Sequence, residues 1–523
     1  MRKQTFIQGA IILLAAGIIN RLLGFVPRIV LPRIIGPEGV GLYQQGYPFF
    51  IVIITLITGG IPLAVAKLVA EAETEGRPER SRQILHTALQ FTVTLGTIFL
   101  ILCLVFAPWI TNHILTDNRV YHTFVSMTPM IIIVAVSSVY RGYFQGKQNM
   151  IPSAASSIAE TVIRIICVIW FSYLLLPKGI AFAAAGAMLG AMVGELIGMF
   201  VLLWQYARHH NDPPKEIGSV PQKEENNSAK GKILKPMLSL SIPVTASRLV
   251  GSFSYLLESI VLMRSLAAAG IATAVATAQY GALQGMIIPL LLLPGALTTS
   301  LAISLVPSLS EASAGGSWAV VHSRLNQSLR LSLVAGAPFA VLMYVLADPV
   351  CMLLYNSTEA AGMLKLMAPF ALFIYIQAPL QAALQALNRP GQALINTAVG
   401  AIIKIALIIA LASRPEYGIY GGVAAICVNS TAVTLLHGYS VSRLLGYQMK
   451  AGDWFKTAAG MLLMGGAVLY AYLHLPFGGT LWLQFICSSL IGIALYLVFM
   501  SCTGMILWDQ LHRIPIVRRW FRT

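Results

Sequence analysis

Apolar blocks of about 20–28 residues follow one another through almost the whole chain. Each can cross a hydrocarbon core of about 30 Å at a rise of about 1.5 Å per residue. Only helices or closed barrels satisfy their backbone polar groups in lipid. Blocks this long, without period-2 alternation, specify helices. Fourteen spans are predicted, near 6–31, 43–68, 84–108, 122–145, 153–176, 180–206, 237–262, 278–306, 328–354, 363–387, 393–412, 418–444, 454–475 and 480–507. Only 10% of the residues are charged, against about a quarter in soluble domains, which leaves no sizeable soluble domain. The expected fold class is an all-α polytopic membrane protein. Arg2 and Lys3 precede an apolar run too long for a signal-peptide core, so that run reads as the first span.

The formal charge of +16 is sorted along the chain. With the N-terminus inside, the cytoplasmic segments hold 21 of the 35 Lys and Arg, and the opposite loops hold five: Arg119, Lys178, Arg264, Lys365 and Arg414. That asymmetry predicts a multi-pass protein of the cell membrane with both termini cytoplasmic. The basic residues then face anionic lipid headgroups, with no nucleic-acid partner implied.

A polar segment over 207–236, containing Asp212-Pro213-Pro214 and Lys223-Glu224-Glu225, reads as a disordered cytoplasmic linker. It separates an N-lobe (1–206, spans 1–6) from a C-lobe (237–448, spans 7–12). Spans 13 and 14 with a basic tail occupy 449–523. The lobes align with each other. At an offset of 240, Lys67 through Gly76 meets Pro307 through Gly316, with Glu71 on Glu311. The same offset pairs Gln145 with Gln385 and Arg164 with Lys404. The strings Asn20-Arg21-Leu22-Leu23-Gly24 and Ser247-Arg248-Leu249-Val250-Gly251 also correspond, at an offset of 227. Six spans per lobe is an even number, so the lobes are expected to be parallel repeats, an arrangement transporters use around a midplane site.

An arginine at bilayer depth costs about 2.5–3.5 kcal/mol on insertion scales. Arg33, Lys67, Arg141 and Arg330 lie near span ends and are expected to snorkel to the headgroups. Arg21, Arg28, Arg164, Arg248 and Lys404 lie deeper. Glu160 and Arg164 share a helix face at i,i+4 and can satisfy each other. Lys404 has Gly400 at the matching place, and Arg21 has no acid within a turn. The deep acids are Glu160, Glu195 and Glu258, the candidates for ion coupling. Cations outnumber them, so Arg21 and Arg248, with Arg28, Arg164 and Lys404, are expected to receive an anion. The planar guanidinium fork suits phosphate oxygens. Asn20, Tyr43, Gln44, Gln45, Ser247, Ser252, Ser254, Gln279, Tyr280 and Gln284 are polar neighbours that could bind sugar hydroxyls or join helices. Prolines inside spans kink them, and Pro289 and Pro294 are expected to bend span 8 most.

Six cysteines in or beside apolar spans, none in C-x-x-C spacing, read as small core residues. The histidines show no metal-binding spacing, and no nucleotide loop or catalytic triad is legible. No cofactor, no metal and no enzymatic reaction are expected.

Four strings carry a family resemblance: Met1 to Phe6, Asn20-Arg21-Leu22-Leu23-Gly24-Phe25, Ile35-Gly-Pro-Glu-Gly-Val-Gly-Leu-Tyr43, and Gly60 to Glu71. They resemble the polysaccharide transporter branch of the multidrug/oligosaccharidyl-lipid/polysaccharide exporter superfamily, and within it the sporulation members of endospore-forming bacilli. The resemblance implies a two-lobed, fourteen-span flippase for an undecaprenyl-pyrophosphate-linked saccharide such as lipid II. It would serve cell-wall or spore-cortex peptidoglycan synthesis. It also implies that Arg21, in R-x-L-G-F, is a substrate-cavity residue. The family's second basic position falls on Pro27 here, with Arg28 one step on. Two other functions compete: a cation-coupled multidrug antiporter, and a non-transporting scaffold for wall-synthesis proteins. The partners expected are the lipid-linked oligosaccharide substrate, membrane lipids and wall-synthesis proteins.

Overall fold

The computed structural model describes residues 6–210, 226–446, 451–475 and 479–505, and every regular element among them is helical. Thirteen stretches among the described residues are long and apolar enough to cross a membrane. The first, Ala15–Thr74, holds 60 residues and covers two of the expected spans. The chain divides into two compact units, Met1–Gly285 and Met286–Thr523. The division falls inside the expected eighth span.

The first unit contains α1 (Phe6–Thr58), α2 (Ile61–Thr74), α3 (Pro78–Trp109), α4 (Val120–Met127), α5 (Met130–Gly146), α6 (Ile151–Leu175), α7 (Ile180–His210), α8 (Asn226–Ala268) and α9 (Thr273–Gly281). A straight helix as long as α1 would measure about 80 Å, far more than a bilayer core. It is broken at Gly36, where φ is 67° and ψ 175°, a conformation open to glycine without a Cβ penalty. Pro37 follows and cannot donate to the preceding turn.

Helix α7 presents Gly186, Gly190, Gly194 and Gly198 at four-residue spacing. A Cβ on Gly190 would lie 2.4 Å from the Val168 nitrogen, and one on Gly186 2.5 Å from the Phe171 oxygen. This stripe lets α6 and α7 pack backbone to backbone, the usual role of small residues in membrane helices. Around the pair lie two apolar cores. One gathers Leu42, Phe124, Met127 and Met188; the other gathers Val65, Leu85, Phe144 and Met237.

Helix α8 begins at Asn226, inside the segment expected to be a linker, and α7 continues through His210. Ile233 and Met237, one turn apart, are buried in the second core, which draws this stretch into the helix. Residues 211–225 of the expected linker and 506–523 of the basic tail lie outside the described residues.

The second unit contains α10 (Ile288–Leu291), α11 (Gly295–Ala314), α12 (Trp318–Val345), α13 (Ala347–Tyr355), α14 (Ala361–Met367), α15 (Ala371–Ala386), α16 (Pro390–Leu407), α17 (Gly418–Leu445), α18 (Ala451–His474) and α19 (Leu481–Cys502). Leu309, Leu325, Leu329, Ile376, Leu384 and Val441 form its core. The expected span over 328–354 is corrected: α12 ends at Val345 and α13 is a separate short helix. Span 8 is broken at the prolines. A π-helical turn over Ala282–Ile287 follows α9, then α10, then a turn before α11 at Gly295.

The 240-residue offset is visible in backbone detail within each unit. Gly76 and Gly316 have φ of 69° and 68°, and Gln148 and Asn388 have φ of 55° and 57°. The flanking hydrogen bonds recur too. Arg77 N donates to Ala72 O and Ser317 N to Ala312 O; Asn149 N donates to Phe144 O and Arg389 N to Leu384 O.

Candidate functional site

The first unit holds a cavity of about 250 Å³. The first arm of α1 contributes Gly24, Pro27 and Arg28; the second arm contributes Tyr43, Gln44 and Tyr47; α6 contributes Thr161 and Arg164. Two arginines and no acid stand among its lining residues. The break at Gly36 folds the arms of α1 so that both border the same space. Tyr43 and Tyr47 are i,i+4 and therefore share a helix face.

Arg164 does not form a closed pair with Glu160. Its Nη2 lies 3.0 Å from Glu160 Oε1, and its Nη1 lies 3.7 Å from Glu195 Oε1 on α7. Arg141, on α5, donates from Nη2 to Glu160 Oε2 at 2.6 Å. Glu160 is 6% exposed. Buried carboxylates need such partners, because an unpaired charge pays heavily to leave water. Arg141 was expected to snorkel. Instead it turns inward, because α5 packs beside the α6–α7 pair and Glu160 offers a desolvated carboxylate there.

The other sequence-singled residues fall as follows. Arg28 is exposed and lines the cavity. Arg21 and Arg248 are exposed and lie outside its lining. Arg21 stands seven residues before Arg28, hence two turns along the same face, about 10 Å away. Lys404 is 7% exposed in the second unit. Neither Arg21 nor Lys404 is without an interaction partner. Glu258 is buried and accepts from Gln284 Nε2 at 2.7 Å. Asn20 Nδ2 donates to Ser157 Oγ at 2.6 Å and ties α1 to α6. Tyr280 donates to Ser259 at 2.9 Å and is fully buried away from the cavity.

Sequence reasoning missed a second polar network. Arg119 donates to Asp117 from its backbone N and from Nε, both at 3.0 Å, and from Nη2 at 2.8 Å. Its Nη1 reaches Glu38 Oε1, just past the α1 break, at 2.6 Å. Thr277 on α9 donates to Asp117 at 2.9 Å and accepts from Gln45 Nε2 at 3.1 Å. Burial raises the Asp117 pKa, but the Arg119 and Thr277 hydrogen bonds outweigh it and hold the carboxyl below its ordinary range. Asp117 and Arg119 stand two apart in a loop, the one local signal that was available.

A family model described as "Polysaccharide biosynthesis protein" matches residues 6–313. The chain belongs to that family. It is 40% identical over 521 residues to stage V sporulation protein B of Bacillus subtilis (strain 168), with 99% of each chain covered. Its fold is that of the lipid II flippase MurJ in an inward closed conformation, with a TM-score of 0.71 at 18% identity, covering 96% of this chain and 100% of the other. An inward-facing multidrug resistance MATE family transporter of the MOP superfamily also matches, with a TM-score of 0.63 at 15% identity, covering 82% and 94%. The family member is therefore a multi-pass membrane protein of the MurJ/MATE transporter fold.

Proposed function

We propose that this protein is a flippase for a lipid-linked saccharide whose pyrophosphate is received by Arg28 and Arg164, with lipid II as the substrate. The observation that carries the reading is the cavity: two guanidiniums, two tyrosines, a glutamine and no acid in its lining. A pyrophosphate crossing hydrocarbon unaided would lose its hydration, at a prohibitive cost. Fixed guanidiniums offset much of it through charge-assisted, bidentate hydrogen bonds. Arg21 extends the same face of α1, and Arg248 on α8 adds a further cation, so both join the substrate path. Lys404 is the corresponding cation of the second lobe.

A cation antiporter calls for an acidic lining, which this cavity lacks. The relatives compared carry sporulation, flippase or transporter names, in keeping with a transporter and not an enzyme. The charge asymmetry of the loops supports cytoplasmic termini. Single cysteines at Ser219 and Asn356 should then label from opposite faces of the membrane. The similarity to stage V sporulation protein B supports a role in sporulation, and with the proposed substrate that role is spore-wall peptidoglycan synthesis in company with wall-synthesis proteins.

The test is reconstitution into vesicles carrying fluorescent lipid II on one leaflet. Transfer that falls at least tenfold in Arg28→Ala and Arg164→Ala, with Arg28→Lys intermediate because Lys lacks the fork, supports the reading. Equal transfer with and without wild-type protein, for lipid II and for other undecaprenyl-pyrophosphate saccharides, overturns it.

A further inference from the structure

Arg164 serves two masters. Its guanidinium borders the cavity, and the same guanidinium holds two carboxylates, Glu160 at 3.0 Å and Glu195 at 3.7 Å. The two carboxylates are not equally dependent on it. Glu160 keeps a second, shorter contact to Arg141 at 2.6 Å. For Glu195, the ion pair to Arg164 is the one found among the described residues. Its side chain is 13% exposed, held between α6 and α7 by the glycine stripe.

An anion entering the cavity therefore competes with Glu195 for Arg164. If the anion wins, Glu195 is left as a buried carboxylate beside a second carboxylate. Desolvation and like charge both disfavour its ionised form. The geometry points to Glu195 as a proton-binding site that fills when a phosphate-bearing substrate takes Arg164, so that substrate anion and proton are bound together. This rests on the substrate reading above and adds to it a coupling ion and a sign.

The charges agree on one proton. Arg28, Arg141 and Arg164 against Glu160 and Glu195 leave one net positive charge. A pyrophosphate diester brings two negative charges, and one proton from water returns the cluster to neutrality. The groups that face Glu195 are Glu160 and Arg164 from α6, Arg141 from α5 and Tyr47 from α1. His122 of α4 meets α7 at Phe182, thirteen residues or about 20 Å away along the helix, too far to take this proton. Glu160 does not take it either, because Arg141 stays. The sign is opposite to that of a cation antiporter, in which a proton on the carboxylate expels the substrate.

The test uses the full chain in lipid nanodiscs and a short-chain prenyl-pyrophosphoryl-N-acetylglucosamine. Both phosphates of this diester stay ionised throughout the pH range used. Titration calorimetry in two buffers of different ionisation enthalpy counts protons. Wild type should take up about one proton per ligand at mildly alkaline pH and less as pH falls, and its affinity should fall by up to about tenfold per pH unit as pH rises. Glu195→Gln should bind with no uptake and no pH slope. An infrared difference spectrum of wild type should gain a protonated-carboxyl band on ligand addition, a readout that needs no variant. Binding by wild type without uptake or band overturns the inference and leaves the substrate reading standing. Uptake unchanged in Glu195→Gln overturns the assignment to this residue. No binding of the probe to wild type overturns the substrate reading, and the inference with it.

Discussion

Replacing Gly41 by Ala puts one methyl group where the second arm of α1 crosses α9. That Cβ would lie 2.0 Å from the Thr277 carbonyl oxygen and 2.8 Å from its Cγ2. Ordinary contact begins at 3.4 Å, so the helices must part by about 1.4 Å, because an interior this dense has no slack to absorb it. A Cβ on Gly281 would likewise lie 2.0 Å from the Pro37 oxygen, so the two backbones are already close-packed on both sides of the crossing and cannot slide to relieve the strain. Thr277 also carries the bonds to Asp117 at 2.9 Å and Gln45 at 3.1 Å. A shift of that size takes both beyond hydrogen-bonding distance. Overpacking costs about 1–3 kcal/mol, and each lost bond adds about 1 kcal/mol. The gain from Gly→Ala in a helix returns about 1 kcal/mol. The net loss is about 2–4 kcal/mol, which lowers the apparent Tm by roughly 3–7 °C for a unit of this size. The assay is thermal unfolding of purified protein in detergent, followed by circular dichroism. Gly17→Ala is the control, since its Cβ meets nothing within 4 Å. An apparent Tm for Gly41→Ala equal to or above that of Gly17→Ala would refute the reasoning.

Three further outcomes are expected. Arg141→Ala leaves Glu160 with Arg164 alone and should cost about 2 kcal/mol, below the range for fully buried pairs because Glu160 keeps one partner; thermal unfolding beside Arg141→Lys, which should recover part of the loss, checks it. Asp117→Ala removes the acceptor of three Arg119 bonds and one Thr277 bond and should cost about 3 kcal/mol at pH 7, read from the same melts. Because the native Asp117 carboxyl sits below its ordinary range, its stabilisation is complete above that range and is lost as pH falls through it to the native value; the wild type and Asp117→Ala melting points should converge on acidification, and a gap that stays constant would refute the linkage. Gly190→Ala pushes a Cβ to 2.4 Å from the Val168 nitrogen and should lower stability by about 1–3 kcal/mol, with lipid II transfer falling too because α7 carries Glu195 away from Arg164.

Sequence by itself determined whatever follows from period and length. Long apolar runs specify spanning helices, since lipid offers the backbone no other partner. The i,i+4 spacing of Glu160 and Arg164 placed them on one face, and their contact is present. The offset of 240 marked the recurring turns at Gly76 and Gly316. Four short strings pointed to the family. Tertiary structure decided which charged groups meet across helices. Arg141 reads as an end-of-span cation until α5 is packed beside Glu160, 19 residues on. Glu38 and Arg119 are 81 residues apart and carry no common period. Sequence put forward Arg21, Arg28, Arg164, Arg248 and Lys404 together; of these, Arg28 and Arg164 line the cavity. The reason is physical. A helix period fixes the direction of a side chain about its own axis, whereas the break at Gly36 and the glycine stripe of α7 fix how close and at what height the next axis lies. Those two quantities, and not the period, choose the partner of each buried charge.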